Sequence, residues 1–129
     1  MTRYTEFGLL TEAVNGTLVA DDYPSEMSVG ELETLYFTVT NREQQNKQYT
    51  VVVMLVSTND DGEATQRARL DSFRNEVAAE ETWRQEHTVA PPLRGERLRL
   101  TYLLYYGAAP ELPTVQNSYR ELHVWLDVS

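Results

Sequence analysis

The sequence predicts an all-β fold, in which about seven to nine antiparallel strands form a sandwich. Apolar and polar residues alternate along most segments, and Gly, Pro, Asn and Asp separate the segments at intervals of roughly 8–12 residues. The one stretch with good helix propensity, 76–81, lacks an apolar stripe. A closed β-barrel would leave a similar pattern and is the alternative. A length of 129 residues is typical of one domain, so residues 1–129 are treated as a single unit.

The N-terminal part of the chain contains a hairpin signal. Residues 4–10 alternate as a strand does, and Asn15-Gly16 favours a type I′ turn, in which both central residues take a positive φ. A short strand at 17–20 is expected to return beside the first one. Pro24 then ends this pairing, because proline has no N–H group to donate to a ladder.

The middle of the chain supplies four further strands. Residues 34–40 alternate and predict a half-buried strand, whereas residues 48–57 are apolar in both alternating sets and predict a central strand covered on both faces. Residues 66–73 alternate more weakly. After a turn, residues 82–89 predict another strand.

Two long strands close the fold. Residues 97–106 and 119–128 both alternate, and the segment 107–118 between them contains two prolines and predicts a long loop. The apolar sides of the alternating strands define the predicted core: Leu35, Phe37, Val39, Leu98, Leu100, Leu104, Leu122, Val124 and Leu126.

Composition limits the classes of partner. The chain has 20 acidic and 11 basic residues, a net charge of −9, and Lys47 is its only lysine. This charge disfavours nucleic acid and anionic membrane surfaces as partners. Acidic residues scattered over the whole chain suggest adaptation to high salt. The sequence has no cysteine, no recognisable signal peptide and no apolar run long enough to span a bilayer, so any membrane attachment requires segments absent from this chain.

Several short motifs carry a family resemblance. They include residues 4–7 (YTEF), 20–24 (ADDYP), 82–83 (TW), 103–105 (LLY) and 119–125 (YRELHVW). Together they resemble an uncharacterised archaeal membrane-protein family, the domain-of-unknown-function family sixteen-sixteen, over nearly the whole chain. The region resembles the soluble C-terminal part that follows several membrane helices in that family. The resemblance implies an immunoglobulin-like sandwich outside the cell, with no known activity, and a salt-adapted archaeal source.

No catalytic or metal-binding constellation stands out, so we expect a protein that is not an enzyme and has no cofactor. His87 and His123, the only histidines, lie in no recognisable motif, and the paired carboxylates fall in turns, where acids are solvated. Residues 59–63 (NDDGE) cluster oxygen ligands but lack the spacing of a calcium loop. Asn15-Gly16-Thr17 is a glycosylation sequon, which makes Asn15 a candidate modification site outside the cell.

The outward residues of the closing strands predict an interaction patch. Leu103, Tyr105, His123 and Trp125 alternate with the core residues of their strands, and Val52 and Met54 extend the patch onto the central strand. Such a face is too apolar to remain bare in water. Two kinds of cover are considered: the chain itself, through its N-terminal segment or residues 107–118, and a partner, with a second copy as the simplest choice.

The leading functional hypothesis is a non-catalytic extracytoplasmic interaction module that binds a protein partner or forms a homodimer. The alternative is a module that binds carbohydrate or a cell-surface polymer, because an exposed Trp stacks well on sugar rings. Trp83 and Trp125 are the candidates, and one of them is expected in the core. The surroundings of Trp125 should discriminate between the hypotheses: a flat apolar strip favours protein, and a groove lined with polar side chains favours carbohydrate.

Overall fold

A computed structural model describes residues 3–21 and 23–129 of the chain. Their strands are β1 (Tyr4–Glu12), β2 (Leu18–Val19), β3 (Glu26–Met27), β4 (Glu33–Arg42), β5 (Lys47–Thr58), β6 (Ala64–Val77), β7 (Thr82–Val89), β8 (Gly95–Tyr106) and β9 (Arg120–Val128). A four-stranded sheet has the order β2-β1-β4-β7, and a five-stranded sheet has the order β3-β9-β8-β5-β6. This arrangement confirms the predicted all-β sandwich. Within the described ranges, no helix is long and apolar enough to cross a membrane.

The core lies between the two sheets, where the sequence alternation places it. All nine predicted core residues belong to or contact one buried apolar cluster, and Leu35, Phe37, Val39, Leu100 and Leu104 are fully buried. Leu122 and Val124 are only partly buried, because their strand β9 has just the two-residue β3 beside it at the margin of the sheet. Trp83 also lies in this core, edge-on to Phe37 with a ring-centroid separation of 5.1 Å.

Strand β5 is a buried interior strand of the five-stranded sheet, between β8 and β6, as its doubly apolar sequence predicted. Every residue from Tyr49 to Val56 is buried. Tyr49, Val51, Val53 and Leu55 point into the core between the sheets, whereas Val52, Met54 and Val56 form a second apolar cluster on the outer face. Strand β8 pairs with β5 over eight residue pairs, as the extension of the predicted patch from 97–106 onto the central strand requires.

The hairpin at Asn15-Gly16 forms, but its turn type differs from the prediction. Only Gly16 takes a positive φ, of 87°. The N–H of Gly16 donates to the carbonyl of Ala13 at 2.9 Å, and the N–H of Ala13 donates to the carbonyl of Thr17 at 2.8 Å. This is a type I turn closed by a glycine bulge, which matches the strand twist with one positive φ instead of two.

Strand β6 is longer than the predicted 66–73. It pairs with β5 from Ala64 to Val77, and this ladder overrides the helix propensity of residue 76 onward. The predicted turn before the next strand is present, and Glu80 within it takes a φ of 69°.

A buried polar pair connects the sheets through the core. The ring Nε2 of His87 and the hydroxyl of Tyr102 are 2.5 Å apart, and Phe37 packs against both rings. Burial lowers the pKa of His87 to about 4. A neutral, enclosed imidazole of this kind is part of the core and is not presented to a substrate.

Candidate binding groove

The loop formed by residues 107–118 folds over the outer face of the five-stranded sheet. It covers four members of the predicted interaction patch, Val52, Met54, Leu103 and Tyr105, all of which are buried, and Val115 and Ala109 pack against them. The predicted patch is therefore not one continuous exposed surface. Of the two kinds of cover considered, the chain itself supplies this one, because the loop brings its own apolar side chains to the face.

Hydrogen bonds hold the covering loop in place. The Tyr105 hydroxyl donates to the Asn117 Oδ1 at 2.6 Å, and the Asn117 Nδ2 donates to the Leu112 carbonyl at 2.9 Å. At the start of the loop, the Thr50 hydroxyl donates to the Gly107 carbonyl at 2.5 Å. The polar atoms of the covered face are thus satisfied inside the chain, so Tyr105 is an anchor for the loop.

Trp125 and His123 of the predicted patch remain exposed on β9. Trp125 keeps 43% of its surface exposed, and the ring of His123 meets the indole edge-on with centroids 5.5 Å apart. The His123 Nδ1 lies 2.7 Å from a carboxylate oxygen of Glu121. The guanidinium carbon of Arg97 lies 5.2 Å from the indole centroid, which is within cation–π range.

Arg97 reaches Trp125 through an unusual backbone. The pairing of β8 with β9 is irregular between Gly95 and Leu98, and Arg97 takes a φ of 53°. Non-glycine residues adopt this left-handed region at a cost, so the conformation needs support. The Asp127 carboxylate supplies it by accepting the Arg97 N–H at 2.7 Å. The sequence alternation gave no sign of this bulge.

A groove with polar walls lies beside Trp125. It has a volume of about 440 Å³, within the range of small-ligand sites. Its lining includes Thr58, Asn59, Asp60, Glu96 and Arg97 together with the indole. The Asn59 Oδ1 accepts the N–H groups of Asp61 at 3.0 Å and Glu63 at 2.9 Å, which fixes the turn that forms one wall.

A second, smaller cavity adjoins this groove on the same sheet face. It has a volume of about 230 Å³, and Gly62 lines both spaces. Met54, Val56 and Leu103 give it an apolar floor, and Arg67 and Arg99 stand on β6 and β8 at its sides. The two spaces together place an aromatic ring, an apolar floor and several polar groups within one region.

The opposite end of the sandwich also exposes aromatic side chains. The rings of Tyr106 and Tyr119 stack with centroids 4.4 Å apart and are 40% and 37% exposed. Their hydroxyls donate to one carboxylate oxygen of the buried Glu43, at 2.6 and 3.3 Å, and the Thr5 hydroxyl donates to it at 2.8 Å. Burial alone would raise the pKa of Glu43, but the hydroxyl donors outweigh it, so this pKa lies below its usual range.

The remaining candidate residues occupy separate places. Asn15 is exposed at the tip of the β1–β2 hairpin, where its Oδ1 accepts the Thr17 N–H at 3.0 Å. In the part of the chain that the structure describes, no three His, Cys, Asp or Glu side chains form a group able to hold a metal ion. The acidic turn at 59–63 instead uses its Asn59 side chain to bind its own backbone.

Solved structures with the same architecture define the class of protein, an immunoglobulin-like β-sandwich domain. The CARDB domain of a Pyrococcus furiosus protein was crystallised in complex with di-metal ions, and its match covers 98% of this chain and 89% of that chain, with a TM-score of 0.54 and 11% identity. The match to Spo0M, a sporulation control protein from Bacillus subtilis, covers 96% of this chain and 49% of Spo0M, with a TM-score of 0.54 and 14% identity. The match to a β-glucosidase from Listeria innocua covers 98% of this chain and 16% of the glucosidase, with a TM-score of 0.55 and 10% identity. Likeness at such low identity concerns the fold alone.

The family model for the domain of unknown function DUF1616 matches residues 1–127. The chain therefore belongs to the DUF1616 family, as the motif resemblance indicated. No curated protein matches the sequence.

Proposed function

We propose that this domain is a non-catalytic binding module that recognises carbohydrate, or a similar cell-surface polymer, in the groove beside Trp125. The observation that carries the proposal is the exposed indole bordering a 440 Å³ groove whose other walls are polar. A sugar ring has one apolar face and a rim of hydroxyl groups. An aromatic ring next to carboxylates, amides and a guanidinium offers a complementary contact to each.

A protein partner on the predicted patch has less support. Only His123 and Trp125 of the six patch residues remain exposed. A stable protein interface buries about 800 Å² on each partner and has a largely apolar centre. Here the loop has already covered the apolar part of the face, and the surface around Trp125 is polar.

We also propose that the domain acts outside the cell. Strand β1 begins beside the Glu43 cluster, whereas the groove and Asn15 lie at the opposite end of the sandwich. A membrane segment preceding β1, as the family resemblance implies, would leave the groove and Asn15 facing away from the membrane. In that setting the exposed sequon would be accessible for glycosylation.

Binding to an array of oligosaccharides, followed by calorimetry on the best ligands, tests the proposal. The wild-type domain should bind at least one oligosaccharide, and Trp125→Ala should abolish this binding while leaving the melting temperature within a few degrees. Tyr119→Ala is the matched control, because it removes a similarly exposed aromatic ring from the other end of the molecule. Absence of any binding, or equal loss in both variants, would reject the groove as a carbohydrate site.

Light scattering supplies an independent check. A glycan-binding module with its apolar face covered should be monomeric. If the wild-type domain is instead a dimer and Trp125→Glu separates it without unfolding it, Trp125 belongs to a protein interface and the carbohydrate proposal is wrong.

A further inference from the structure

The acidic chain carries a local concentration of arginines on one face. Residue pairing places Arg67 on β6 and Arg99 on β8 on either side of Val56, and pairs Arg99 with Trp125 on β9. These four residues therefore form one row across the outer face of the five-stranded sheet. Two strand spacings separate the Cα atoms of the two arginines, a distance of about 9.5 Å.

The adjacent row repeats the pattern. Arg69 on β6 and Thr101 on β8 flank Met54, and Thr101 pairs with His123 on β9. Arg97 adds a further cation above the Trp125 ring. Arg67 and Arg99 thus line the smaller cavity, Arg97 lines the groove, and Arg69 lies in the adjacent row, although the net charge of the chain is −9.

The guanidinium groups of these arginines form no salt bridge with a carboxylate among residues 3–21 and 23–129. The arginine–carboxylate pair found there is Arg42–Glu80. Arg99 is half-buried, and its Nε donates to the Thr101 hydroxyl at 3.2 Å. A partly desolvated guanidinium gains most from an anionic partner, so Arg99 is prepared for an anion that the chain itself does not supply.

The lining also contains acidic groups that limit which anion fits. Asp61 and Glu63 lie on the turn at the rim of the smaller cavity. They would repel a densely charged polymer such as nucleic acid, but they can accept hydrogen bonds from sugar hydroxyls. A cavity with mixed charges around an apolar floor is therefore suited to a polyhydroxylated polymer whose acidic groups are widely spaced.

Resting on the proposed carbohydrate function, we infer that the ligand is an acidic polysaccharide. Its carboxylate or sulfate groups bind Arg67 and Arg99, whose planar guanidinium groups match both anions in a bidentate geometry. That sugar residue lies at the mouth of the smaller cavity, and the neighbouring residue of the polymer lies in the groove against Trp125.

The decisive probes are oligogalacturonate and its fully methyl-esterified counterpart, with a sulfated galactan oligomer and its desulfated form as a second pair. Within each pair the sugar backbone is the same, and only one member carries the anionic groups. The wild-type domain should bind one or both acidic members at least tenfold more tightly than their neutral counterparts, and added KCl should weaken only the acidic complexes. The pair that shows the difference identifies carboxylate or sulfate as the recognised group.

Charge-neutral variants assign the residues. Arg67→Gln and Arg99→Gln should each raise the Kd for the acidic ligand by about tenfold, the equivalent of one charge-assisted contact. Arg84→Gln is the control, because it makes the same charge change on the outer face of the four-stranded sheet, where Arg84 pairs with Thr38. Melting temperatures of all three variants should stay close to the wild type.

The outcomes separate this inference from the proposed function. Equal affinity for acidic and neutral members would overturn the inference while leaving the groove a carbohydrate site. Tighter binding of a DNA oligomer than of any acidic saccharide would overturn it in favour of a general polyanion site. If Arg84→Gln weakened binding of the acidic ligand as much as Arg99→Gln does, the effect would depend on net charge alone. That result would also overturn the inference.

Discussion

The two ends of this sandwich both expose large aromatic rings, yet their polar groups are used differently. At one end the hydroxyls of Tyr106 and Tyr119 donate to the buried Glu43 carboxylate, together with that of Thr5. At the other end Trp125 borders a groove, and the guanidinium groups that line this groove and the adjoining cavity form no salt bridge in the described part of the chain. The tyrosines have similar exposure to Trp125, so exposure alone does not distinguish the two ends.

The difference is the basis for placing the proposed site where guanidinium groups lack a carboxylate partner, since exposed aromatic area is similar at both ends. A ring whose polar atom is satisfied within the chain contributes to stability, and a ligand would have to break that bond to use it. Tyr106 and Tyr119 therefore belong to the structural end of the molecule. Trp125 and the arginines around it form the end that we propose binds the ligand.

Among the changes that test this comparison, Glu43→Gln should have the largest effect on the free energy of unfolding. The substitution removes the charge on which three hydroxyl groups converge, and we expect the free energy of unfolding to fall by about 2–4 kcal/mol. Urea denaturation measures it. Glu81→Gln, an exposed acid in the connection between β6 and β7, is the control and should change stability by less than ~0.5 kcal/mol. Similar losses in both variants would mean that Glu43 is not the anchor of this end.

Low pH should have the second-largest effect on stability. It acts through the buried pair of His87 and Tyr102, which belongs to neither end of the sandwich. In the unfolded chain a histidine ionises near the ordinary pKa of 6.5, whereas folded His87 ionises at about 4. Between these values the unfolded chain binds a proton that the folded chain does not, so stability is complete above pH 6.5 and falls as pH decreases. The loss between pH 6.5 and pH 5 should be about 2 kcal/mol.

The matched variant for this prediction is His87→Phe combined with Tyr102→Phe, which removes both members of the hydrogen bond. Subtracting its pH profile from that of the wild type isolates the histidine from the many surface carboxylates. Any contribution of the depressed pKa of Glu43 is lost only at lower pH, as that carboxyl protonates, and should persist in the variant. Parallel profiles above pH 5 would show that His87 titrates normally.

Tyr106→Phe should have a smaller effect on stability, and that effect should be confined to the end of the sandwich that contains Glu43. It removes one hydroxyl donor from Glu43 and should lower the free energy of unfolding by about 1–2 kcal/mol without altering ligand binding at Trp125. Trp125→Ala should show the converse, lost binding with little loss of stability. Calorimetric binding and thermal melting of both variants provide the test, and a binding defect in Tyr106→Phe would contradict the division of roles.

Salt should have the smallest effect, one that is common to both ends. A net charge of −9 from scattered acids makes the folded chain repel itself, and added ions screen this repulsion. We expect the melting temperature to rise by about 2–4 °C between dilute buffer and molar KCl, equally in the wild type and in the variants above. A flat or falling melting temperature would remove the support for salt adaptation.

The sequence by itself determined the fold class, the order of the long strands and the core. Alternation with a period of two directs Phe37, Leu100 and Leu126 inward whatever the rest of the chain does, because a strand projects successive side chains to opposite faces. The doubly apolar residues 48–57 likewise required cover on both faces. The membership of the outer face was also readable, since Leu103, Tyr105, His123 and Trp125 alternate with core positions.

Only the tertiary structure decided which of those outward residues reach solvent. The loop 107–118 has no periodicity, so its path over Leu103 and Tyr105 depends on contacts with residues far away in sequence, which no local pattern records. The same holds for the bulge that aims Arg97 at Trp125 and for the row that joins Arg67 to Arg99 across three strands. Alternation assigns a residue to a face of a sheet, but its neighbours on that face come from strand order and register, and these are fixed only when the whole chain packs.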